Sequence, residues 1–261
     1  MKKHIYVFSP SSAVRDKAAI RRGVARLKAM GHDVELDDAA LASHMRFAGD
    51  DDTRLAAIHR AAASGADVAL ITRGGYGLTR LLPGIRYKAV AKAIHNGTKF
   101  VGLSDFTAFQ CAVLARTGEV TWAGPALGED FGVEGEPDDI MQACFEDLVT
   151  GQGEGTGWQL PAAQALERPL DIKGELWGGN LSMIAALAGT PWLPRCATAS
   201  FSSKTCRSIH IASSGCSRSS SMRVSCSGSA RSCWGTSPTT SHSRTTGDSS
   251  SRLSSTGCAA R

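Results

Sequence analysis

The sequence predicts an α/β protein. Its N-terminal part reads as a doubly wound, mostly parallel sheet; a second, smaller β-rich domain then begins and is cut short, and a disordered C-terminal tail follows. Three observations predict this. Short apolar runs alternate with amphipathic stretches of about 10 to 15 residues, the pattern of βαβ units. Glycine-rich or serine-rich turns follow several of the apolar runs, where such sheets place their ligands. Composition changes abruptly near residue 195.

The elements follow in order. His4 to Phe8 is an apolar run stopped by Ser9-Pro10-Ser11-Ser12, a strand and then a loop. Residues 16–30 carry Ile20, Val24 and Leu27 at helical spacing, and Gly31 follows as a helix stop. Residues 34–36 make a second strand. Asp50, Asp51 and Asp52 open a helix with acids at its positive end, and Leu55, Ile58 and Ala62 form its apolar stripe. Residues 68–71 are a buried strand, and residues 78–82 a short helix after a glycine-rich loop. A helix over 87–95, a strand over 100–103, a helix over 106–116, a strand over 120–123 and a helix over 138–148 complete the unit. Residues 1–148 thus form the first domain and 149–167 a glycine-rich linker. The second domain starts over 168–195, with an apolar helix ending before Gly189.

The 261 residues carry 29 Lys+Arg, 24 Asp+Glu and eight Cys, a net charge of +5. These averages hide two different chains. Residues 196–261 hold eight Lys+Arg, one acid, six Cys and 22 Ser; residues 1–195 have a net charge of −2. The basic balance therefore describes the tail alone and gives the body no nucleic-acid partner. No apolar run reaches the roughly 18 residues of a membrane span. The first apolar run is too short for a secretory leader, so the expected location is cytoplasmic. The histidines lack metal-ligand spacing and read as surface or helix-end groups; Cys111 and Cys144 read as small core residues. No nucleotide-binding glycine pattern is present. Neither metal nor cofactor is expected.

Two turns carry the candidate chemistry. Thr72-Arg73-Gly74-Gly75-Tyr76-Gly77 follows the strand at 68–71. Its glycines let backbone amides approach a ligand closely, as an anion or oxyanion site, or serve only a tight turn. Gly102-Leu103-Ser104-Asp105-Phe106-Thr107 ends the strand at 100–103. Ser104 there is either a helix N-cap or a nucleophile exposed at a strand-to-helix turn.

Together these turns resemble the LD-carboxypeptidase family of serine peptidases. The resemblance runs from residue 4 to about 194. It also takes in Phe47-Ala48-Gly49-Asp50-Asp51-Asp52-Thr53-Arg54, Gly124-Pro125, Gly178-Gly179-Asn180-Leu181-Ser182 and Leu187-Ala188-Gly189-Thr190-Pro191. It implies that Ser104 is the nucleophile and that the amides of Gly75 and Asp105 form the oxyanion hole. Arg73, Gly74 and Tyr76 then belong to the substrate-binding loop. The implied substrate is a murein tetrapeptide, cleaved before its terminal D-alanine during wall recycling. A related branch hydrolyses peptide–nucleotide antibiotics, and a non-catalytic ligand-binding domain is the other alternative. The family commonly forms homodimers. Its remaining triad members, a Glu and a His, belong to the second domain.

From residue 196 the chain departs from the family pattern. The tail is read as a frameshift product: GC-rich codons for 197–205, read two bases later, spell an apolar strand followed by an acidic pair. A disulfide or zinc framework lacks C-x-x-C pairs, and the basic residues do not cluster for nucleic acid. Few large apolar residues leave the tail disordered. The triad Glu and His are not recognisable, and His210 and His242 lack matching context. The apolar face over 176–193 is expected to lack partners.

Overall fold

The computed structural model describes residues 1–152, 175–195 and 199–204. Five strands, β1 (His4–Phe8), β2 (Asp33–Leu36), β3 (Val68–Ile71), β4 (Lys99–Gly102) and β5 (Trp122–Ala123), form one sheet in the order β2-β1-β3-β4-β5. Every pairing is parallel. The chain leaves β1 toward β2 on one side and returns to β3 on the other. The sheet therefore has its topological switch between β1 and β3, where open α/β sheets bind ligands.

Alternation along the central strands sends side chains into two cores. Tyr6, Phe8, Ala69, Ile71 and Phe100 face one; Ile5, Val7, Val68, Leu70 and Val101 face the other. Helices α2 (Asp51–Ala63), α3 (Tyr87–His95) and α4 (Thr107–Thr117) cover the first face. Helices α1 (Lys17–Ala29) and α5 (Asp139–Thr150), with a π-helical turn over Leu127–Phe131, cover the second. Both faces are dry, as a doubly wound sheet requires.

The structure adds caps to the helix starts read from the sequence. Asp16 caps α1 by accepting from the amides of Ala18 and Ala19. Asp50 caps α2 through the Thr53 amide at 2.8 Å. Several details differ. The buried stripe of α2 is Arg54, Ala57, Ile58 and Ala61, with Leu55 and Ala62 only half-buried. The helix is rotated so that the Arg54 guanidinium enters the core, where backbone carbonyls receive it. Residues 78–82 are not one helix but part of two 3-10 turns, Leu78–Arg80 and Leu82–Gly84, the second holding Pro83 in its first turn. Proline there removes an amide donor that a continuous helix would use. Val120 is exposed and outside β5, an edge strand of two residues. Cys144 is exposed, not core. His32 is buried, hydrogen-bonded to Glu146 at 2.7 Å, not at the surface.

The second unit begins with β6 (Glu175–Asn180) and α6 (Leu181–Ala186). A seventh strand, β7 (Ala199–Lys204), pairs parallel with β6 from Glu175↔Ala199 to Asn180↔Lys204. Described structure thus continues past residue 195, where the tail was expected to begin; the pairing gives the backbone of β6 its ladder partners. The apolar face over 176–193 does have partners. Ile184 and Leu187 are buried in the first core, and Trp177, Trp192 and Leu193 pack against it. The expected linker over 149–167 lies almost wholly outside the described residues, as do His210, His242 and the tail from 205 onward. No helix among the described residues is long and apolar enough to cross a membrane.

Candidate active site

Three loops leave the carboxyl ends of β1, β3 and β4 and meet at the switch point. Ser104 sits where β4 turns into α4. Its φ is +62°, and among the described residues only Met45 shares a positive φ without being glycine. Such backbone costs on the order of 1–3 kcal/mol and persists only where surroundings over-determine it. The hydroxyl caps no helix amide, because neither the 3-10 turn over Ser104–Phe106 nor α4 has a side-chain cap. The geometry therefore decides against the N-cap reading. What remains is a strained strand-to-helix turn that presents a half-buried serine, the arrangement of a nucleophile elbow.

The glycine loop after β3 wraps this turn. A Cβ on Gly74 would stand 2.6 Å from Ser104 Cβ and 3.1 Å from its Oγ. One on Gly75 would stand 2.0 Å from the Ser12 hydroxyl. Both positions need glycine for close approach, the first to Ser104 and the second to the β1 loop. Arg73 donates from Nε to the Gly74 carbonyl at 3.2 Å and lies 3.3 Å from Glu129. Tyr76 is 46% exposed and rests edge-on against Phe47, with Arg46 over its ring.

Asp105 turns away from solvent and into the loops. It is 2% exposed. The Ser11 hydroxyl donates to its Oδ1 at 3.0 Å, while Oδ2 lacks a hydrogen-bond partner of good geometry. Burial pushes its pKa up to about 6; Ser11, the amides of Gly75 and Leu78, and the Arg54 cation pull the other way.

Arg54 is fully buried. It donates to the carbonyls of Pro10 and Gly77, each at 3.2 Å, pairs with Asp51, and lies 4.7 Å above the Phe47 ring. It therefore ties the β1 loop to the β3 loop from the side of α2. Sequence periodicity placed Arg54 outside the stripe; the signal for it was the strand-end carbonyls it serves, which no local pattern shows. Ser11 and Ser12 were likewise visible only as a loop.

The second unit touches the site at one further place. The Asn180 amide donates to Thr107 Oγ1 at 3.0 Å, while the Asn180 side chain caps α6. The Gly178-Gly179-Asn180 segment thereby docks on the first turn after Ser104.

The structure brings Ser104, Asp105, Gly74 and Gly75 together, with Arg73 and Tyr76 along the glycine loop. None of the hydrogen bonds among the described residues involves the Ser104 hydroxyl. Among the described residues no group of three or more His, Cys, Asp or Glu is placed to hold a metal ion. The assembled chemistry is a strained serine beside a helix start and a close-packed amide loop, the set used to attack a carbonyl and hold its oxyanion.

The chain is similar to known proteins. Residues 5–124 match the LD-carboxypeptidase N-terminal domain. The chain is 32% identical over 167 residues to the Probable murein peptide carboxypeptidase of Bacillus subtilis (strain 168), covering 64% of this chain and 51% of that protein. It is 29% identical over 147 residues to the Microcin C7 self-immunity protein MccF of Escherichia coli, covering 47% of this chain and 42% of that protein. The muramoyltetrapeptide carboxypeptidase of Oxalobacter formigenes superposes with a TM-score of 0.67 at 32% identity, covering 77% of this chain and 65% of that one. The chain spans about half the length of the curated relatives it matches.

Proposed function

Starting from a chain whose residues 5–124 match the LD-carboxypeptidase N-terminal domain, we propose that its chemistry is serine-type hydrolysis of the bond before the terminal D-alanine of a murein tetrapeptide. Ser104 is the nucleophile in this reading, and amides of the glycine loop and of Asp105 stabilise the oxyanion. The single observation that carries it is the φ of +62° at Ser104 beneath Gly74. A serine held in that strain without a capping role is a serine held for reaction. The reaction belongs to wall recycling in the cytoplasm, and a homodimer is the expected assembly.

A serine needs a base, and the tail over 196–261 offers no recognisable Glu or His in the family's context. We therefore expect this polypeptide to hydrolyse its substrate roughly 10⁴- to 10⁶-fold more slowly than a complete triad enzyme. A frameshift near codon 195 accounts for the serine-rich and cysteine-rich tail. Sequencing the gene there tests it, and an uninterrupted frame in independent reads overturns it.

A second reading rests on the likeness to the self-immunity protein: hydrolysis of a peptide–nucleotide conjugate. Offering purified chain a murein tetrapeptide and an aminoacyl–nucleotide conjugate separates the two. Release of D-alanine is the expected result. Cleavage of the conjugate alone supports the second reading, and binding without cleavage of either supports a ligand-binding domain. D-alanine release at ordinary serine-peptidase rates contradicts the expected defect.

A further inference from the structure

Arg73 is a cation with donors to spare. Its Nε donates to the Gly74 carbonyl at 3.2 Å, and a single Nη lies 3.3 Å from Glu129 Oε1. Arg60, by contrast, grips Asp37 with two bonds of 2.7 and 2.8 Å, the fork of a fully engaged guanidinium. The other arginines near the glycine loop are committed. Arg54 is buried against the Pro10 and Gly77 carbonyls, Arg80 pairs with Asp51 at 2.7 Å, and Arg46 lies over the Tyr76 ring. The Arg73 and Glu129 side chains are partly open to solvent, where one such ion pair adds little to stability. Nor is the pair needed to hold its two loops together. Glu129 lies on the π-helical turn, and the Gly128 amide of that turn donates to the Thr72 carbonyl at 2.8 Å. Asp130 fixes the same turn by accepting from the Ala126 amide at 2.7 Å. Arg73 adjoins Gly74, the residue packed on Ser104. The fold thus sets a half-engaged cation and a replaceable anion beside the serine.

We propose that Arg73 clamps the terminal carboxylate of the substrate and that Glu129 is the resident counter-ion which this carboxylate displaces. The inference rests on the serine-hydrolase reading, in which the leaving D-alanine carries a free carboxylate on the carbon next to the scissile nitrogen. The cation that receives it must therefore stand close to the nucleophile. Among the described residues Arg73 is placed so and keeps N–H groups without a hydrogen bond. Its Nε bond to Gly74 fixes the guanidinium plane and leaves both Nη groups to fork onto a carboxylate. Taking the substrate breaks only a weak, solvent-exposed pair. A peptide that is amidated or continues beyond the D-alanine lacks the charge to displace Glu129, so the clamp restricts the site to chain ends.

The test uses the full-length chain carrying Ser104→Ala, which binds without turnover, and calorimetric titration with two probes. One is a murein tetrapeptide ending in D-alanine; the other is the same peptide with a C-terminal carboxamide. The acid binds about tenfold more tightly than the amide. Adding Arg73→Gln removes that preference by weakening the acid alone. Arg73→Lys, which serves if the glutamine variant fails to fold, keeps only part of it. Adding Glu129→Gln tightens the acid roughly threefold and leaves the amide unchanged. A pair that merely braced the loops would be broken equally by Arg73→Gln and Glu129→Gln, and both would shift binding in the same direction. Equal binding of acid and amide overturns the proposal, as does a preference that survives Arg73→Gln, a Glu129→Gln that fails to tighten the acid, or no binding of either peptide. Single-turnover release of D-alanine, with Ser104 restored, tests the hydrolase reading separately. An acid preference without release keeps the clamp and sinks the hydrolase; release without an acid preference does the reverse.

Discussion

The first unit, residues 1–152, and the short second unit, 175–204, hold themselves up in different ways. The first covers both faces of a five-stranded sheet with its own helices. The second has two paired strands and a six-residue helix, and it buries Ile184 and Leu187 in the core of the first. Its polar anchor is likewise borrowed, the Asn180 amide on Thr107. Dependence therefore runs one way. The Ser104 turn and its glycine loop lie within the first unit, and the second docks on it.

Substitutions that separate the two units sharpen this contrast. The largest effect is expected from Arg54→Ala. It leaves the Pro10 and Gly77 carbonyls and Asp51 without their cation, and should cost roughly 3–5 kcal/mol in urea unfolding of the first unit. Ile184→Ala should remove about 2 kcal/mol or more of packing from the second unit. Hydrogen exchange of α6 would accelerate while β1, β3 and β4 keep their protection. Equal acceleration in both units would show that they form one cooperative body.

The pH dependence of stability tests the strained site in the first unit. Asp105 rises from its ordinary 3.8 to about 6 in the fold. Between those values the native state holds a proton that the unfolded chain does not. Its contribution is fully present below pH 4 and is lost as pH rises through 6, a swing of about 3 kcal/mol. The difference in unfolding free energy between wild type and Asp105→Asn should carry that swing. A difference that is flat from pH 4 to 7 contradicts it. The smallest effect is expected from Thr107→Val, which deletes the acceptor for Asn180 and should cost about 1 kcal/mol, read as faster exchange at the Asn180 amide.

Much of the first unit was legible because its signals are local. Apolar runs at Val68–Ile71 and around Phe100, the acids at 50–52 that open a helix, and Gly31 after one each act within a few residues. The glycine loop and Ser104 stood out for the same reason. Arg54, Ser11 and Thr107 did not, because each acts through partners 23 to 94 residues away. Periodicity misplaced the α2 stripe because it counts apolar side chains, and the decisive buried one is charged. The apolar face over 176–193 looked orphaned because the core it joins is built by elements far back in the sequence.

The central claim is that this chain reacts through Ser104. It is tested most directly by single-turnover release of D-alanine from a murein tetrapeptide, comparing wild type with Ser104→Ala under enzyme excess. The account predicts slow release in the wild type and none above background in Ser104→Ala. Equal release from both proteins would contradict it.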